Sequence, residues 1–132
     1  MTEAKFTTAF HKWLARHSEW YFTCVFELKV EKDAKSIAFT RLADHQARAL
    51  KLAQEGRIIY KIPDEGLSQK PFDSFMICNA SAYVVLWVAK WDPKKFWIIP
   101  YKAWEEARTT CGRASVTRKM ADDMGLSYEL NS

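Results

Sequence analysis

The feature that most constrains the fold is an unbroken apolar run, AYVVLWVA, at residues 82–89 of the 132-residue chain. A strand that is apolar on both of its faces needs a packed layer on each side. The run is far shorter than the roughly 20 residues that a helix needs to cross a bilayer. We therefore predict a central strand over residues 82–90, covered on both faces by other elements.

Shorter periodic patterns surround this run. The helical spacing of apolar residues predicts helices over residues 4–17, 41–54, 101–108 and 115–124, the last with Ser115 as N-cap and Gly125 as its stop. Four further strands are predicted over residues 21–30, 57–62, 72–78 and 96–99. This order predicts one domain of the α/β (α+β) class, with a mixed five-stranded sheet flanked by helices. Residues 110–132 are expected to form a peripheral helix and tail.

Composition and charge narrow the class of protein. With 48% hydrophobic residues the chain is expected to fold rather than remain disordered. A net charge of +4 is compatible with a polyanionic partner but does not identify one. The N-terminus leads into a helix without a signal peptide, so we expect a soluble, cytoplasmic protein. Three well-separated cysteines argue against a disulfide framework or zinc ribbon, and Cys24 and Cys78 are expected in the core.

Glu27 and Lys29 form the sharpest chemical pattern, within FELKV at residues 26–30. Side chains two apart on a strand share a face, so this carboxylate and amine are expected to be neighbours, with Phe26, Leu28 and Val30 holding the strand to the core. A carboxylate can bind Mg²⁺, and an adjacent lysine can orient water or stabilise charge on a phosphate. Taken alone, this common tripeptide is more often an exposed ion pair at a sheet edge.

Three other polar patterns follow along the chain. Asp73 stands where a proline-fixed loop enters a strand, which suits a rigid metal ligand but is also a common turn position. His45 and Gln46, near the start of the second predicted helix, can orient water, contact a phosphate or simply face solvent, and His45 can also serve as a metal ligand. Several basic residues are candidate contacts to DNA phosphates, although each could equally be part of a solvated surface. They are Lys61, Lys70, Lys94, Lys95, Arg113, Arg118 and Lys119.

The order of these patterns carries a resemblance. FELK at 26–29, RLADHQ at 41–46 with AL at 49–50, YKIPD at 60–64, KPFD at 70–73 and AYVV at 82–85 together resemble the short phage- and plasmid-type relatives of RecU-like Holliday junction resolvases, in the PD-(D/E)xK nuclease superfamily. The resemblance covers about residues 6–104. No single motif is specific, but the ordered set is much more so, and it favours an active-site interpretation of Glu27, Lys29 and Asp73.

The resemblance implies a restriction-endonuclease-like sheet, Mg²⁺ or Mn²⁺ as cofactor, a homodimer, and hydrolysis of phosphodiester bonds in branched DNA such as four-way junctions. It maps Glu27 and Lys29 onto the family's metal ligand and lysine, and His45 and Gln46 onto its His-Gln pair. The family's metal-binding Asp usually precedes the E-x-K strand, which is not so here. We therefore expect a rearranged strand order, in which a later strand lies beside residues 21–30 and delivers Asp73 to the metal.

The predicted site thus has Glu27 and Asp73 as metal ligands and Lys29 and Gln46 as further catalytic residues. The predicted DNA contacts are His45, Lys61, Lys70, Arg113, Arg118 and Lys119. Whether an additional acid joins the site is left open for Glu3, Glu19 and Asp64. Four tryptophans, Trp13, Trp20, Trp91 and Trp104, are expected to be exposed. Their side chains could form a dimer interface or insert into a DNA junction.

Three alternatives stay open at this point. The first is a non-catalytic module that binds branched or single-stranded DNA, and the second is a nicking or restriction-type nuclease with the same site. The third is a purely structural or interaction protein. A requirement for metal separates the nucleases from the binding module, and a panel of DNA substrates separates the nucleases from each other.

Overall fold

A four-stranded mixed sheet forms the centre of the fold in the computed structural model, which describes residues 1–17, 19–20, 22–63 and 70–132. The elements in chain order are α1 Glu3–Arg16, β1 Cys24–Glu31, β2 Ser36–Ala38, a 3-10 turn Phe39–Arg41, α2 Asp44–Glu55, β3 Arg57–Lys61, β4 Ser74–Cys78, β5 Ser81–Val88, β6 Lys95–Pro100, α3 Tyr101–Thr110, β7 Ser115–Thr117, α4 Arg118–Met124 and β8 Leu126–Glu129. The sheet order is β1-β5-β6-β8, with β1 and β5 parallel and the other neighbours antiparallel. The predicted α/β class is confirmed.

The sheet separates two apolar cores. Helix α1 covers one face, and α2, α3 and α4 cover the other. Strand β5 supplies both cores in alternation, with Val84, Leu86 and Val88 on the α2 side and Val85 and Trp87 on the α1 side. The prediction of a central strand covered on both faces is therefore confirmed.

The predicted alternation of β1 is also confirmed. Leu28 and Val30 are buried in the core beneath α1, and Phe26 packs against the same core. Residues between them point the other way, so Glu27 and Lys29 face α2. Apolar packing on one side thereby fixes which side of the strand presents the two charged groups.

The predicted five-stranded sheet is wrong, because two of the strands predicted for it do not belong to the main sheet. Strands β3 and β4 pair with each other as an antiparallel hairpin outside the main sheet, and β8, which was not predicted, pairs with β6 at the far edge. Most side chains of β3 and β4 are exposed, so these strands lack the two covered faces of β5. A local pattern identifies a strand but does not specify its partner.

Residues 110–132 are more than a peripheral helix and tail. Val116 and Ala121 are fully buried in the core beneath α2 and α3. The predicted N-cap is wrong as well, because Ser115 lies in β7 and the Thr117 hydroxyl instead accepts the N–H of Met120 at 3.3 Å. Helix α4 does end at Gly125, where a Cβ would overlap the carbonyl oxygen of Ile98. Close packing against β6 thus requires glycine at this position.

The expectation of exposed tryptophans is wrong for three of the four candidates. Trp13, Trp91 and Trp104 are buried, and Trp20 is half-buried, because the rings fill the two cores. The large apolar side chains that are exposed lie mainly on the hairpin and just before β4, namely Ile59, Tyr60, Phe72, Phe75 and Met76. Cys78, expected in the core, is exposed on the same hairpin. None of the helices in the described ranges has the length and apolar character to cross a membrane.

Candidate active site

A cleft of about 280 Å³ lies between β1, α2 and the β3–β4 hairpin. Glu27, His45 and Gln46 form its polar end, and the rest of its lining is apolar or aromatic. Strand β1 brings Glu27 to the cleft, and the first turn of α2 brings His45 and Gln46. A concave, mostly apolar site with a few convergent polar groups is the usual form of a binding or active site.

The predicted Glu27–Lys29 pair forms, with Glu27 lining the polar end of the cleft and Lys29 beside it but not lining the cleft itself. Lys29 Nζ lies 3.3 Å from Glu27 Oε1, with 10% of the Lys29 side chain and 26% of the Glu27 side chain exposed. Among the described residues, Lys29 is the only polar or charged residue that is buried. Burying a charge is costly unless it is paired, so a buried ammonium beside a cleft is unlike an ordinary surface ion pair.

Gln46 connects α2 to this pair through both ends of its amide. The Ala43 N–H donates to Gln46 Oε1 at 3.0 Å, and Gln46 Nε2 donates to Glu27 Oε1 at 2.9 Å. Ala43 has no side-chain oxygen with which to cap α2, so the first bond provides the return half of a capping box and fixes the amide. Gln46 therefore positions Glu27.

The two oxygens of the Glu27 carboxylate differ in their surroundings. Oε1 receives both Lys29 Nζ and Gln46 Nε2. Within the described part of the chain, no hydrogen-bond donor contacts Oε2. One oxygen is thus committed to holding the side chain, and the other is available to a ligand.

The structure does not bring Asp73 into this group, and the expected strand neighbour is wrong. The strand beside β1 is β5, which places Val84 opposite Glu27, whereas Asp73 lies one residue before β4 on the hairpin. The Asp73 side chain is 91% exposed, and its Oδ1 lies 3.3 Å from Lys70 Nζ. The fully apolar β5 takes the interior position because only that position covers both of its faces.

Asp73 nevertheless shares a side of the hairpin with residues that line the cleft. The Ile62 N–H donates to the carbonyl oxygen of Asp73 at 2.7 Å, so the hairpin ladder extends to this residue. Strand alternation then gives Asp73 the same face as Phe75 and Ile77, both of which line the cleft.

A metal ion would find one protein carboxylate at the polar end of the cleft. Among the described residues, no three His, Cys, Asp or Glu side chains come together around a common point. Mg²⁺ is commonly held through one or two carboxylates, with water and substrate phosphates completing its shell. Glu27, with Oε2 available, fits a Mg²⁺ site that has a single protein carboxylate.

Comparison with known proteins returned nothing similar. No protein-family model matches the chain, and no curated protein or solved structure matches it. The resemblance to RecU-like resolvases therefore stays a prediction that depends on the sequence patterns alone.

The other predicted acids lie away from Glu27 or outside the described residues. Glu3 begins α1, which covers the opposite face of the sheet. Glu19 lies near Tyr128 of β8, whose pKa is raised by burial and then by the Glu19 carboxylate. Asp64 lies outside the residues that the structure describes. Neither Glu3 nor Glu19 lines the cleft with Glu27.

The predicted DNA contacts are spread over the molecule. His45 lines the cleft. Lys61 lies opposite Ser74 in the strand register, on the hairpin face that points away from the cleft. Lys70 forms an ion pair with Asp73. The guanidinium of Arg118 donates to the Trp91 carbonyl oxygen at 2.7 Å and covers the Trp97 ring, so the fold itself uses it. Two further residues are exposed near the C-terminus and do not line the cleft, Arg113 and Lys119.

Two arginines that the sequence patterns did not single out lie next to the cleft. Arg48 and Arg57 line a groove of about 360 Å³ that shares His45, Ile58 and Tyr60 with the cleft. The spacing of His45 and Arg48, three apart on one helix, was an available signal for a shared face. No sequence signal brought Arg57 to the same groove, because that requires the hairpin to lie against α2.

Proposed function

We propose that this chain is a Mg²⁺- or Mn²⁺-dependent endonuclease that hydrolyses phosphodiester bonds in branched DNA, with a PD-(D/E)xK-like site on β1. The observation that carries the proposal is the buried Lys29 ammonium, 3.3 Å from Glu27 Oε1 at the polar end of an open cleft. A fold gains little from such a pair for stability alone, because the cost of desolvation offsets the attraction between the charges. A buried lysine paired with a carboxylate that lines a cleft favours a chemical role.

Each residue of the group has a separate part in the proposed reaction. Glu27 would hold the cation through Oε2, with Asp73 as the second candidate ligand because it shares the cleft-facing side of the hairpin. The bound cation would polarise the phosphate and lower the pKa of a water molecule. Lys29 would donate to the phosphate oxygens as negative charge develops on them, in surroundings that screen the charge less than water does.

Gln46 acts on the reaction through Glu27. Its amide is held by the Ala43 N–H and in turn holds Glu27 Oε1, so it fixes the Glu27 carboxylate in the cleft wall. The distance and burial of these groups make a carboxylate, an amine and an amide available within one small volume. Preorganisation of this kind is what electrostatic catalysis requires.

Cleavage of a synthetic four-way junction in Mg²⁺ tests the proposal. Glu27→Gln keeps the size of the side chain and removes its charge, and we expect the rate to fall by about 100-fold or more. The matched control is Glu129→Gln on β8, the same change at the opposite edge of the sheet, which should cleave as the wild type does. Wild-type cleavage by Glu27→Gln would contradict the proposal.

The choice of substrate and the need for metal separate the alternatives. A non-catalytic module would bind the junction without needing a divalent metal and would yield no product in EDTA, Mg²⁺ or Mn²⁺. A nicking or restriction-type nuclease would cut nicked or linear duplex at least as fast as the junction. We expect product in Mg²⁺ or Mn²⁺ and faster cleavage of the four-way junction than of a flap, nicked duplex or linear duplex.

We also propose a homodimer acting inside the cell, because resolving a junction requires two symmetry-related cuts. The outer face of the hairpin supports this, since Ile59 and Met76 pair across it with 69% and 55% of each side chain exposed. Light scattering at micromolar concentration should give twice the chain mass, and Ile59→Lys should lower it to one chain. A wild-type monomer with and without DNA would contradict the dimer.

A further inference from the structure

The cleft beside Glu27 continues into an apolar region that the proposed cleavage chemistry does not use. Beyond the polar end, its walls are Ala49, Leu50, Ile58 and Ile77, and two rings stand over it, Tyr60 and Phe75. The ring centroids are 5.6 Å apart, with an angle of 31° between the planes. Both rings are exposed, so their faces are available to a flat ligand rather than consumed by the core.

A basic groove adjoins this region and shares the Tyr60 wall with it. Arg48 and Arg57 line the groove, and both are exposed. Among the described residues, neither guanidinium has a carboxylate partner within ion-pairing distance. Guanidinium groups bind phosphate oxygens strongly, often through two parallel hydrogen bonds.

The apolar region suits a flat ring, and the adjoining groove suits a phosphate. A nucleotide carries both groups in one chemical unit. Unstacked bases bind proteins by stacking on aromatic side chains, while the backbone follows a positively charged groove. A paired base cannot enter a cleft, because its faces are covered by neighbouring bases. An apolar peptide would not account for the two unpartnered arginines along the same wall.

We propose that the cleft takes one unpaired base of a DNA strand, stacked against Tyr60 and Phe75, while Arg48 and Arg57 hold the adjacent phosphates. This inference deepens and rests on the proposed function, because it names the feature of branched DNA that the site recognises. Turning a base into the cleft bends the strand at that point and brings its backbone towards Glu27 and Lys29. His45, at the boundary of cleft and groove, is placed to contact the edge of the base or its phosphate.

Binding in EDTA tests the base pocket without cleavage. The probes are a duplex with a single-base bulge, the bulged base being the fluorescent analogue 2-aminopurine, and a fully paired duplex of the same sequence. Tyr60→Leu should weaken binding to the bulge by roughly 5- to 150-fold, which corresponds to one lost stacking contact. Its affinity for the paired duplex should stay the same, and the fluorescence change of the bulged base should disappear.

Two controls keep the result specific. Phe72→Leu removes an exposed ring that lines neither the cleft nor the groove, and it should bind both probes as the wild type does. Tyr60→Phe keeps the ring and should retain binding to the bulge.

A separate variant tests the phosphate contact. Arg57→Gln should weaken binding to both probes and reduce the slope of log affinity against log salt by about 0.7 to 0.9.

The outcomes separate this inference from the proposed function. If Tyr60→Leu binds the bulge as tightly as the wild type, or loses equal affinity for both probes, the base pocket is wrong even if the wild type cleaves junctions in Mg²⁺. If binding to the bulge depends on Tyr60 while the wild type cleaves nothing in Mg²⁺ or Mn²⁺, the base pocket stands and the nuclease proposal fails.

Discussion

Two lysine–carboxylate pairs in this protein have the same separation but carboxylates of very different exposure. Lys29 and Glu27 are 3.3 Å apart with 10% and 26% of their side chains exposed, and Lys70 and Asp73 are 3.3 Å apart with 19% and 91% exposed. The first pair lies on a strand held on one side by a core, and the second lies just before β4, at the end of the hairpin where Lys61 pairs with Ser74. Distance alone therefore does not distinguish a candidate catalytic pair from a solvated one.

Burial determines how strong the electrostatic interaction within each pair is. A charge interaction near water is weakened by the solvent, and a surface ion pair contributes at most about 1 kcal/mol to stability. The same interaction in a cleft wall is screened less and is therefore stronger. The comparison predicts that changes at Lys29 and Glu27 have large effects and that the same changes at Lys70 and Asp73 have small ones.

The largest difference is expected in turnover. Lys29→Met removes the ammonium and keeps the length of the side chain, and we expect junction cleavage to slow by about 100- to 1,000-fold. Lys70→Met makes the same change beside the solvated Asp73 and should act mainly on the salt dependence of DNA binding. Single-turnover rates with saturating enzyme measure this. Equal losses of rate in the two variants would contradict a catalytic role that is specific to Lys29.

The next difference is expected in stability. Glu27→Ala leaves the Lys29 ammonium buried without its partner and should lower the free energy of unfolding by about 2 kcal/mol, less than the roughly 3–5 of a fully buried pair because Glu27 is partly exposed. Asp73→Ala should leave stability unchanged, since its carboxylate is solvated. Urea denaturation at neutral pH measures both, and a stable Glu27→Ala protein would show that water already solvates Lys29.

A smaller effect is expected from Gln46, which links the buried pair to α2. Gln46→Ala removes the donor to Glu27 and the acceptor for the Ala43 N–H, so it should lower stability by about 1 kcal/mol and slow cleavage less than Lys29→Met does. Gln46→Glu retains the acceptor and places a second carboxylate against Glu27. We expect it to keep more stability than Gln46→Ala but no more activity. Higher activity in Gln46→Glu would contradict a positioning role.

The smallest effect is expected at Glu31, a second carboxylate on β1. Glu31 follows Lys29 by two residues, but the backbone N–H groups of Asp33 and Ala34, and then Arg41, hold the pKa of Glu31 below its ordinary 4.5. A lowered pKa means that this carboxylate stabilises the fold above that pH and that the contribution is lost as pH falls through the lowered pKa. Glu31→Gln should therefore cost about 1 kcal/mol at pH 7.

Urea denaturation from pH 7 down to pH 3 measures this contribution. The wild type should lose its advantage over Glu31→Gln as the pH drops below 4.5, and cleavage at neutral pH should be unchanged, because the fold uses both oxygens of this carboxylate. An advantage that persists undiminished at pH 3 would contradict the assignment of Glu31 to the fold.

Local patterns predicted the elements of the fold much better than their neighbours. The alternation of residues 26–30 placed Glu27 and Lys29 on one face, and the structure confirms this because each side chain's direction depends only on its own strand. The same kind of pattern predicted strands over 57–62 and 72–78, but not that they pair outside the main sheet. It also missed β8, whose place depends on packing against β6.

Local sequence patterns were enough to predict which charged groups share β1, that Gln46 stands near the start of a helix, and that β5 is interior, because periodicity acts over a few residues. The assembled fold was needed to show that Lys29 is buried, that Asp73 remains solvated beside Lys70, and that Arg48 and Arg57 adjoin the cleft. These depend on which distant segments compete to cover apolar surface. That competition is settled by the whole fold, because strand pairing and burial are gained only when segments far apart in the chain come together.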